Sequence, residues 1–213
     1  MISIGITGGV GAGKSKILEY IEKKCDCFVL TADRYAEELE MRGNVCYEPL
    51  VELLGKEVLS DNLEIDRKKM ASKVFADEDL LKKVNDIVHP AVKTGIIEMI
   101  DRFEKAGNIR FFFLEAALLI ECGYKEILDE IWYVHADVDI RRKRLKEARN
   151  YSDEKIDNIL ASQLDSASFS ANADFVINNS GSLENSYVQI DERLSMYNYT
   201  DGILGDKTAE VNS

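Results

Sequence analysis

A cluster of glycines, a lysine and a serine lies near the start of the 213-residue chain. Gly8, four further residues and then Gly13-Lys14-Ser15 have the spacing of a loop that binds phosphate through successive backbone N–H groups. The lysine of such a loop reaches the β- and γ-phosphates of a nucleotide, and the hydroxyl is a ligand for Mg²⁺. The residues predicted from this pattern to form the nucleotide site are Gly8, Gly9, Val10, Gly11, Ala12, Gly13, Lys14, Ser15 and Lys16.

Two acidic residues follow apolar runs, which places them where parallel strands end and ligands gather. Asp33, in "LTADRY", suits a general base that accepts the proton of an attacking hydroxyl, but it equally suits a helix N-cap. The residues alone leave both interpretations open. Glu115 ends "FFFLE" and is a candidate ligand of Mg²⁺ through water, although any strand can end in Glu.

Six cations fall within "RRKRLKEAR" at residues 141–149 of an otherwise acidic protein. Such a helix can close over ATP and neutralise the charge that develops on a transferred phosphoryl group. It can also be the solvated face of an ordinary helix, so we expect one or two functional arginines. His89, followed by Pro90, is a further candidate, because it is one of only two histidines in the chain.

The elements that must position these residues alternate along the chain. Apolar runs predict five strands, at residues 2–7, 27–31, 110–115, 131–135 and 174–178. Apolar residues at helical spacing lie between them, and two such stripes, over 80–88 and 92–103, are separated by a helix break that Pro90 predicts. Strands alternating with helices predict an α/β doubly wound parallel sheet.

Composition excludes several classes of protein. The formal net charge of −12 argues against nucleic-acid and membrane-surface binding, because both need a basic face. No run of apolar residues is long enough to cross a membrane, and no secretory signal precedes the first strand. Four cysteines without a pattern of metal ligands predict thiols and a cytoplasmic protein.

A phosphate-binding loop alone does not distinguish kinases from GTPases and motor ATPases. A GTPase would carry an Asn-Lys-x-Asp motif to read guanine, and the chain has none. The acidic residues and the basic helix favour a kinase of a small molecule.

Several segments in order resemble the dephospho-CoA kinase family along most of the chain. They are "IGITGGVGAGKS" at residues 4–15, "AD" at 32–33, "DRKKMASKVFAD" at 66–77, "IVHPAV" at 87–92, "EAALLIE" at 115–121, "RL" at 144–145, "Q" at 163 and "ADFVINNSGS" at 173–182. The loop is common to many kinases, whereas the His-Pro segment and the closing "ADFVINNSG" element are more diagnostic.

The resemblance implies ATP-dependent phosphorylation of the ribose 3′-hydroxyl of dephospho-CoA, the last step of coenzyme A synthesis, with Mg²⁺. It implies an α/β fold with a P-loop kinase core around a five-stranded parallel sheet, a helical CoA-domain insertion and a helical lid. By the same resemblance Asp33, Lys14 and Arg144 are catalytic. Asn179 and Gly181 join the ATP site, and the substrate-binding residues are Thr7, Asp33, His89 and Leu118.

Domain bounds follow from the same pattern. The expected nucleotide-binding core comprises residues 1–35, 110–138 and 171–197, the substrate domain 36–109, the lid 139–170, and a frayed tail 198–213. Departures from the family pattern occur at Thr31, Glu37, Ala117 and Phe169, and the second arginine of the lid lies one place late, at Arg149.

Two alternative functions remain open at this point. One is a P-loop kinase that acts on a nucleoside or nucleotide, and the other is a non-catalytic ATP-binding switch.

Overall fold

The computed structural model describes residues 1–75 and 77–197. It contains five strands: β1 (Ile2–Thr7), β2 (Cys27–Thr31), β3 (Phe111–Glu115), β4 (Glu130–His135) and β5 (Phe175–Asn178). They form one parallel sheet in the order β2-β3-β1-β4-β5. The predicted strands are therefore confirmed to within a residue, as is the α/β fold class. The predicted tail, 198–213, lies outside the described residues.

Nine α-helices lie within the described ranges. They are α1 (Lys14–Lys24), α2 (Ala32–Leu39), α3 (Tyr47–Leu54), α4 (Arg67–Val74), α5 (Glu78–Ala106), α6 (Val138–Arg149), α7 (Asp153–Ala161), α8 (Ser166–Asn172) and α9 (Leu183–Ser195). Short 3₁₀ helices occupy Lys56–Val58 and Tyr124–Glu126. Within residues 1–75 and 77–197, none of the helices combines the length and the apolar character that crossing a membrane requires.

The chain divides into two compact units. Among the described residues, the first contains Met1–Thr7 and Phe28–Ile131, and the second contains Gly8–Cys27 and residues 132–197. In the first unit β1 and β3 pair in register from Ile2 opposite Phe111 to Ile6 opposite Glu115. Phe111–Leu114 is fully buried, which explains why β3 is continuously apolar rather than alternating.

Helix α5 runs through Pro90 without interruption, so the predicted break was wrong. Proline lacks an N–H and disfavours a helix interior by about 3 kcal/mol. Val84, Val88, Val92 and Ile96 nevertheless lie on one face of α5 and are buried in the same core as Phe112 and Leu114. Burying each such side chain stabilises the folded protein by about 1.5–3 kcal/mol. Packing of α5 on both sides of Pro90 therefore outweighs the cost of placing proline inside the helix.

In the second unit β4 and β5 pair from Trp132 opposite Phe175 to His135 opposite Asn178. Helix α1 buries Ile17 and Ile21, and α9 buries Ile190 and Leu194. Tyr20 of α1 stacks on Tyr187 of α9 with ring centroids 3.9 Å apart, and its hydroxyl donates to Asp191. These contacts pack α1, which follows the glycine-rich loop, against α9.

Candidate functional site

The glycine-rich loop joins β1 to α1, as the sequence predicts. Gly13 is the N-cap of α1, with φ 97° in the left-handed region, and no side chain caps the helix. The first turn of α1 also contains no acidic residue. Its backbone N–H groups and the positive end of the helix dipole are therefore suited to an anion such as phosphate.

The three polar residues after Gly13 are placed differently. Lys14 lies back across the loop, where its Nζ donates to the Gly8 carbonyl at 2.7 Å. Ser15 is exposed, and its hydroxyl makes no hydrogen bond among the described residues. The Lys16 side chain pairs with Glu19 at 2.8 Å, and that hydrogen bond raises the pKa of Lys16. The predicted contact of Lys16 with ATP stays a prediction.

Arg144 and Asn179 converge on one carbonyl of the loop. Arg144 donates through Nη1 to the Ala12 carbonyl at 3.1 Å and through Nη2 to the Asn179 carbonyl at 2.9 Å. Asn179 is fully buried, and its Nδ2 donates to the same Ala12 carbonyl at 2.7 Å. Asn179 Oδ1 accepts from Ser186 at 2.9 Å, whereas Gly181 is exposed. The structure therefore brings Arg144 and Asn179 together with the loop, as supports of its backbone.

Sequence reasoning assigned no role to two further residues that hold the loop. Arg141 Nε donates to the Val10 carbonyl at 2.9 Å, and Gln163 Oε1 accepts from the Val10 N–H at 3.2 Å. Gln163 was visible only as an isolated match to the family pattern. Arg141 lies three residues before Arg144, a spacing that places both on one face of α6 together with Leu145, and this shared face is the sequence signal that separates Arg141 from the exposed cations beside it.

The first unit contains a cavity of about 210 Å³. Its lining includes three residues predicted to bind substrate, namely Asp33, His89 and Leu118. The remaining lining residues are Ala32, Ala36, Val88, Val92, Ala116, Ala117, Cys122 and Tyr124. Mostly apolar walls with a few polar groups are typical of a small-molecule site.

Asp33 does not cap its helix. The N-cap of α2 is Thr31, which makes no side-chain capping bond. Asp33 lies two residues further on, in the first turn of the helix, and its side chain is exposed. The N-cap interpretation of Asp33 is therefore wrong. A carboxylate in the first turn is favoured by the helix dipole and remains accessible to a substrate hydroxyl.

Two other predicted substrate contacts have specific surroundings. His89 Nδ1 lies 4.0 Å from the Cys122 thiol, whose pKa burial raises. Thr7, the last residue of β1, is fully buried, and its hydroxyl has no hydrogen-bond partner among the described residues. A buried hydroxyl without a hydrogen bond destabilises the fold by about 1–3 kcal/mol. A hydrogen bond from Thr7 to a ligand or a water molecule would remove this cost.

Departures from the family pattern have local partners. Glu37 forms an ion pair with Arg67 at 2.6 Å. Phe169 is buried and stacks on Tyr133 with ring centroids 4.9 Å apart. Arg149 lies over the ring of Tyr151 at 5.9 Å.

The donors present fit Mg²⁺ carried by a nucleotide. Within the described parts of the chain, no three His, Cys, Asp or Glu side chains converge into a metal site of their own. Mg²⁺ typically takes only one or two protein ligands together with substrate phosphates. The exposed Ser15 hydroxyl beside the phosphate loop, and the carboxylate of Glu115 at the end of β3, are donors of the required oxygen type.

Comparison with known proteins gives a consistent result. The family model for dephospho-CoA kinase matches residues 2–185. A dephospho-CoA kinase from Streptococcus mutans is 34% identical over 191 residues, which are 90% of this chain and 95% of that protein. The crystal structure of TT1252 from Thermus thermophilus matches with a TM-score of 0.76 at 29% identity, covering 92% of this chain and 97% of that one.

A dephospho-CoA kinase from Campylobacter jejuni shares the fold, with a TM-score of 0.69 at 23% identity over 92% of this chain and 98% of that one. The resemblance stated from the sequence motifs is thus confirmed over nearly the whole described chain. The glycine-rich loop, the parallel sheet and the matched length all agree with one family. This chain belongs to the dephospho-CoA kinase family.

Proposed function

We propose that this protein transfers the γ-phosphoryl group of ATP to the ribose 3′-hydroxyl of dephospho-CoA, giving coenzyme A and ADP, the last step of coenzyme A biosynthesis. The observation that carries the proposal is family membership across residues 2–185. The loop around α1 supports the use of ATP, and the cavity lined by Asp33, His89 and Leu118 supports a small-molecule acceptor.

ATP binds to residues 8–16 through backbone N–H groups and the N-terminus of α1. Lys14, which now donates to the Gly8 carbonyl, turns its ammonium group to the β- and γ-phosphates. Ser15 and, through water, Glu115 are the residues that would hold Mg²⁺. Bound with ATP, the metal ion neutralises charge on the phosphates.

Asp33 acts as the general base. Its carboxylate takes the proton of the 3′-hydroxyl while that oxygen forms a bond to the γ-phosphorus, and the bond from the γ-phosphorus to the β–γ bridging oxygen breaks, leaving ADP. Arg144 and Lys14 balance the negative charge on the transferred group. His89, Leu118 and Thr7 bind the acceptor.

The reaction takes place in the cytoplasm. No disulfide links the four cysteines, all of which lie in the described part of the chain, and reduced thiols are typical of that compartment. The partners required are ATP, Mg²⁺ and dephospho-CoA.

A direct assay distinguishes this function from its two rivals. Purified protein with ATP and Mg²⁺ is offered dephospho-CoA, adenosine, AMP or CMP, and both ADP release and the mass of the acceptor are measured. We expect ADP release with dephospho-CoA and a product heavier by one phosphate.

Preference for adenosine, AMP or CMP would instead identify a nucleoside or nucleotide kinase. ATP binding with no heavier product would identify a switch. A Lys14→Met control should lose activity at least about 100-fold, which excludes a contaminating kinase as its source.

A further inference from the structure

Arg141 is a buried cation that lies directly against the phosphate loop. Only 7% of its surface is exposed, although it belongs to the most basic helix of the chain. A Cβ atom added to Gly9 would overlap the Arg141 guanidinium. Gly9 has no positive φ, so in this structure it is the guanidinium, and not the backbone conformation, that excludes a side chain at Gly9.

Arg141, Gln163 and Val10 form a closed ring of hydrogen bonds. Arg141 Nε donates to the Val10 carbonyl at 2.9 Å, and Arg141 Nη2 donates to Gln163 Oε1 at 2.5 Å. The same Gln163 oxygen accepts from the Val10 N–H at 3.2 Å. Both polar groups of Val10 are therefore fixed, which sets the orientation of the peptide planes on either side of it.

The charge of Arg141 has no anionic partner among the described residues, since no Asp or Glu there forms an ion pair with it. Its neighbour Arg142, by contrast, pairs with Asp157 and Asp153 at the surface. Burial lowers the pKa of Arg141, which is the expected result of removing a cation from water, and Tyr133 is the titratable group that opposes this effect. An uncompensated buried charge is costly, so its presence beside the loop calls for a partner.

We infer that Arg141 and Gln163 are positioning residues of the ATP site, and that the Arg141 charge is compensated when the phosphates of ATP bind to the loop. The inference rests on the proposed function only in taking ATP as the ligand. Position 163 carries a neutral amide because a carboxylate there would accept the same two hydrogen bonds but would cancel the charge that the phosphates need.

Gln163→Glu tests this directly. The carboxylate keeps both bonds and adds an ion pair to Arg141, so the free energy of unfolding without nucleotide should be unchanged or higher. The dissociation constant of MgATP, measured by calorimetry, should nevertheless rise about tenfold or more, because a negative charge then lies beside the phosphates. In the full reaction KM for ATP should rise more than kcat falls.

Ser162→Glu is the matched control. It adds the same charge one residue away, at an exposed position, where solvent screens it. We expect a change of less than about threefold in the dissociation constant of MgATP. If Gln163→Glu binds MgATP as tightly as Ser162→Glu does, the inference is wrong and Arg141 serves stability alone.

A second pair of variants removes the charge itself. Arg141→Met should weaken MgATP binding about tenfold or more, whereas Arg142→Met should change it less than about threefold. Because Arg141→Met also removes two hydrogen bonds and can lower stability, the decision rests on Gln163→Glu. Equal affinities of the two Met variants would count against the inference.

MgATP binding is measured without an acceptor, so these outcomes are separate from the identity of the substrate. A protein that fails to phosphorylate dephospho-CoA but shows the Gln163→Glu effect would overturn the proposed function and keep this inference. A protein that phosphorylates dephospho-CoA but binds MgATP unchanged in the Gln163→Glu variant would keep the proposed function and overturn this inference.

Discussion

Gly13 must be glycine for two independent reasons. Its φ of 97° lies in the left-handed region, and a Cβ at this position would also overlap Nδ2 of Asn179. Gly43 has a similar φ of 89°, but a Cβ there would meet nothing within 4 Å. Comparison of the two positions therefore separates backbone strain from steric overlap with the residue that supports the loop.

Gly13→Ala should destabilise the protein more than Gly43→Ala does. For Gly43→Ala we expect a loss of about 1–2 kcal/mol in the free energy of unfolding, from strain alone. For Gly13→Ala the loss should be larger, and MgATP should no longer raise the melting temperature, because Asn179 must move away from the Ala12 carbonyl. Urea denaturation and thermal melting with and without MgATP provide the measurement, and equal losses in both variants would contradict the prediction.

Asp33→Asn should separate binding from chemistry. The amide keeps the size of the side chain but cannot accept the proton of the 3′-hydroxyl, so turnover should fall by about 10²–10⁴-fold while MgATP binds as in the unmodified protein. Steady-state kinetics with dephospho-CoA and calorimetry with MgATP measure the two effects. Asp61→Asn, at an exposed position, is the control and should be fully active. Near-normal turnover in the Asp33 variant would remove it from the role of base.

Among the elements, helix α5 contains a proline, which disfavours a helix, and an apolar face, whose burial stabilises it. Pro90 is exposed and leaves the carbonyl of Asp86 without its helical N–H partner. The buried face of α5, from Val84 to Ile96, keeps the helix continuous across it. Because His89 lines the cavity and precedes Pro90, the proline lies next to a predicted substrate contact.

Pro90→Ala should raise the free energy of unfolding by about 1–2 kcal/mol. Helix propensity favours alanine by about 3 kcal/mol, and part of this gain is lost because the unfolded chain becomes more flexible. Urea denaturation measures the difference, with Lys82→Ala on the exposed side of α5 as a control that should change by less than about 0.5 kcal/mol. A less stable Pro90→Ala protein would mean that the proline is required by its surroundings.

Helix α6 illustrates how far an element can be predicted. Its helical character follows from residue types that favour a helix, and Arg144 was identified through its match to the family. The partners of Arg141 were not predictable, because they lie 131 and 22 positions away in sequence. A cation on a basic helix is solvated by default, and only contact with Val10 and Gln163 makes this one different.

For the whole molecule, burial of acidic groups predicts sensitivity to alkali. Burial raises the pKa of the Cys27 thiol to about 12, with smaller effects from Glu22 and Asp26, and burial likewise raises the pKa of Tyr124 to about 12. The unfolded chain releases these protons at lower pH than the folded chain does. Stability from these groups is therefore fully present below about pH 8.5 and is lost progressively as the pH rises towards 12.

Urea denaturation between pH 8 and pH 11 should show this decline. Cys27→Ala removes one of the two groups, so its free energy of unfolding should depend less steeply on pH than that of the unmodified protein. A profile that is flat throughout this range, or identical in the two proteins, would contradict the assignment.

The sequence by itself determined the phosphate loop, the five strands and the family. These depend on local order: glycine spacing fixes which backbone conformations are accessible, and apolar runs of four to six residues fix where buried strands form. For the same reason Asp33, Arg144 and His89 could be named in advance, since each belongs to a short motif.

Only the tertiary structure decided what depends on contacts between distant segments. The core shared by both halves of α5 made the helix continuous through Pro90. Thr31, and not Asp33, became the N-cap of α2, and Arg141 became a buried support of the loop. Each outcome is a competition between a local preference of a few kcal/mol and packing or hydrogen bonds between residues that are distant in sequence. These long-range contacts cannot be read from the order of residues alone.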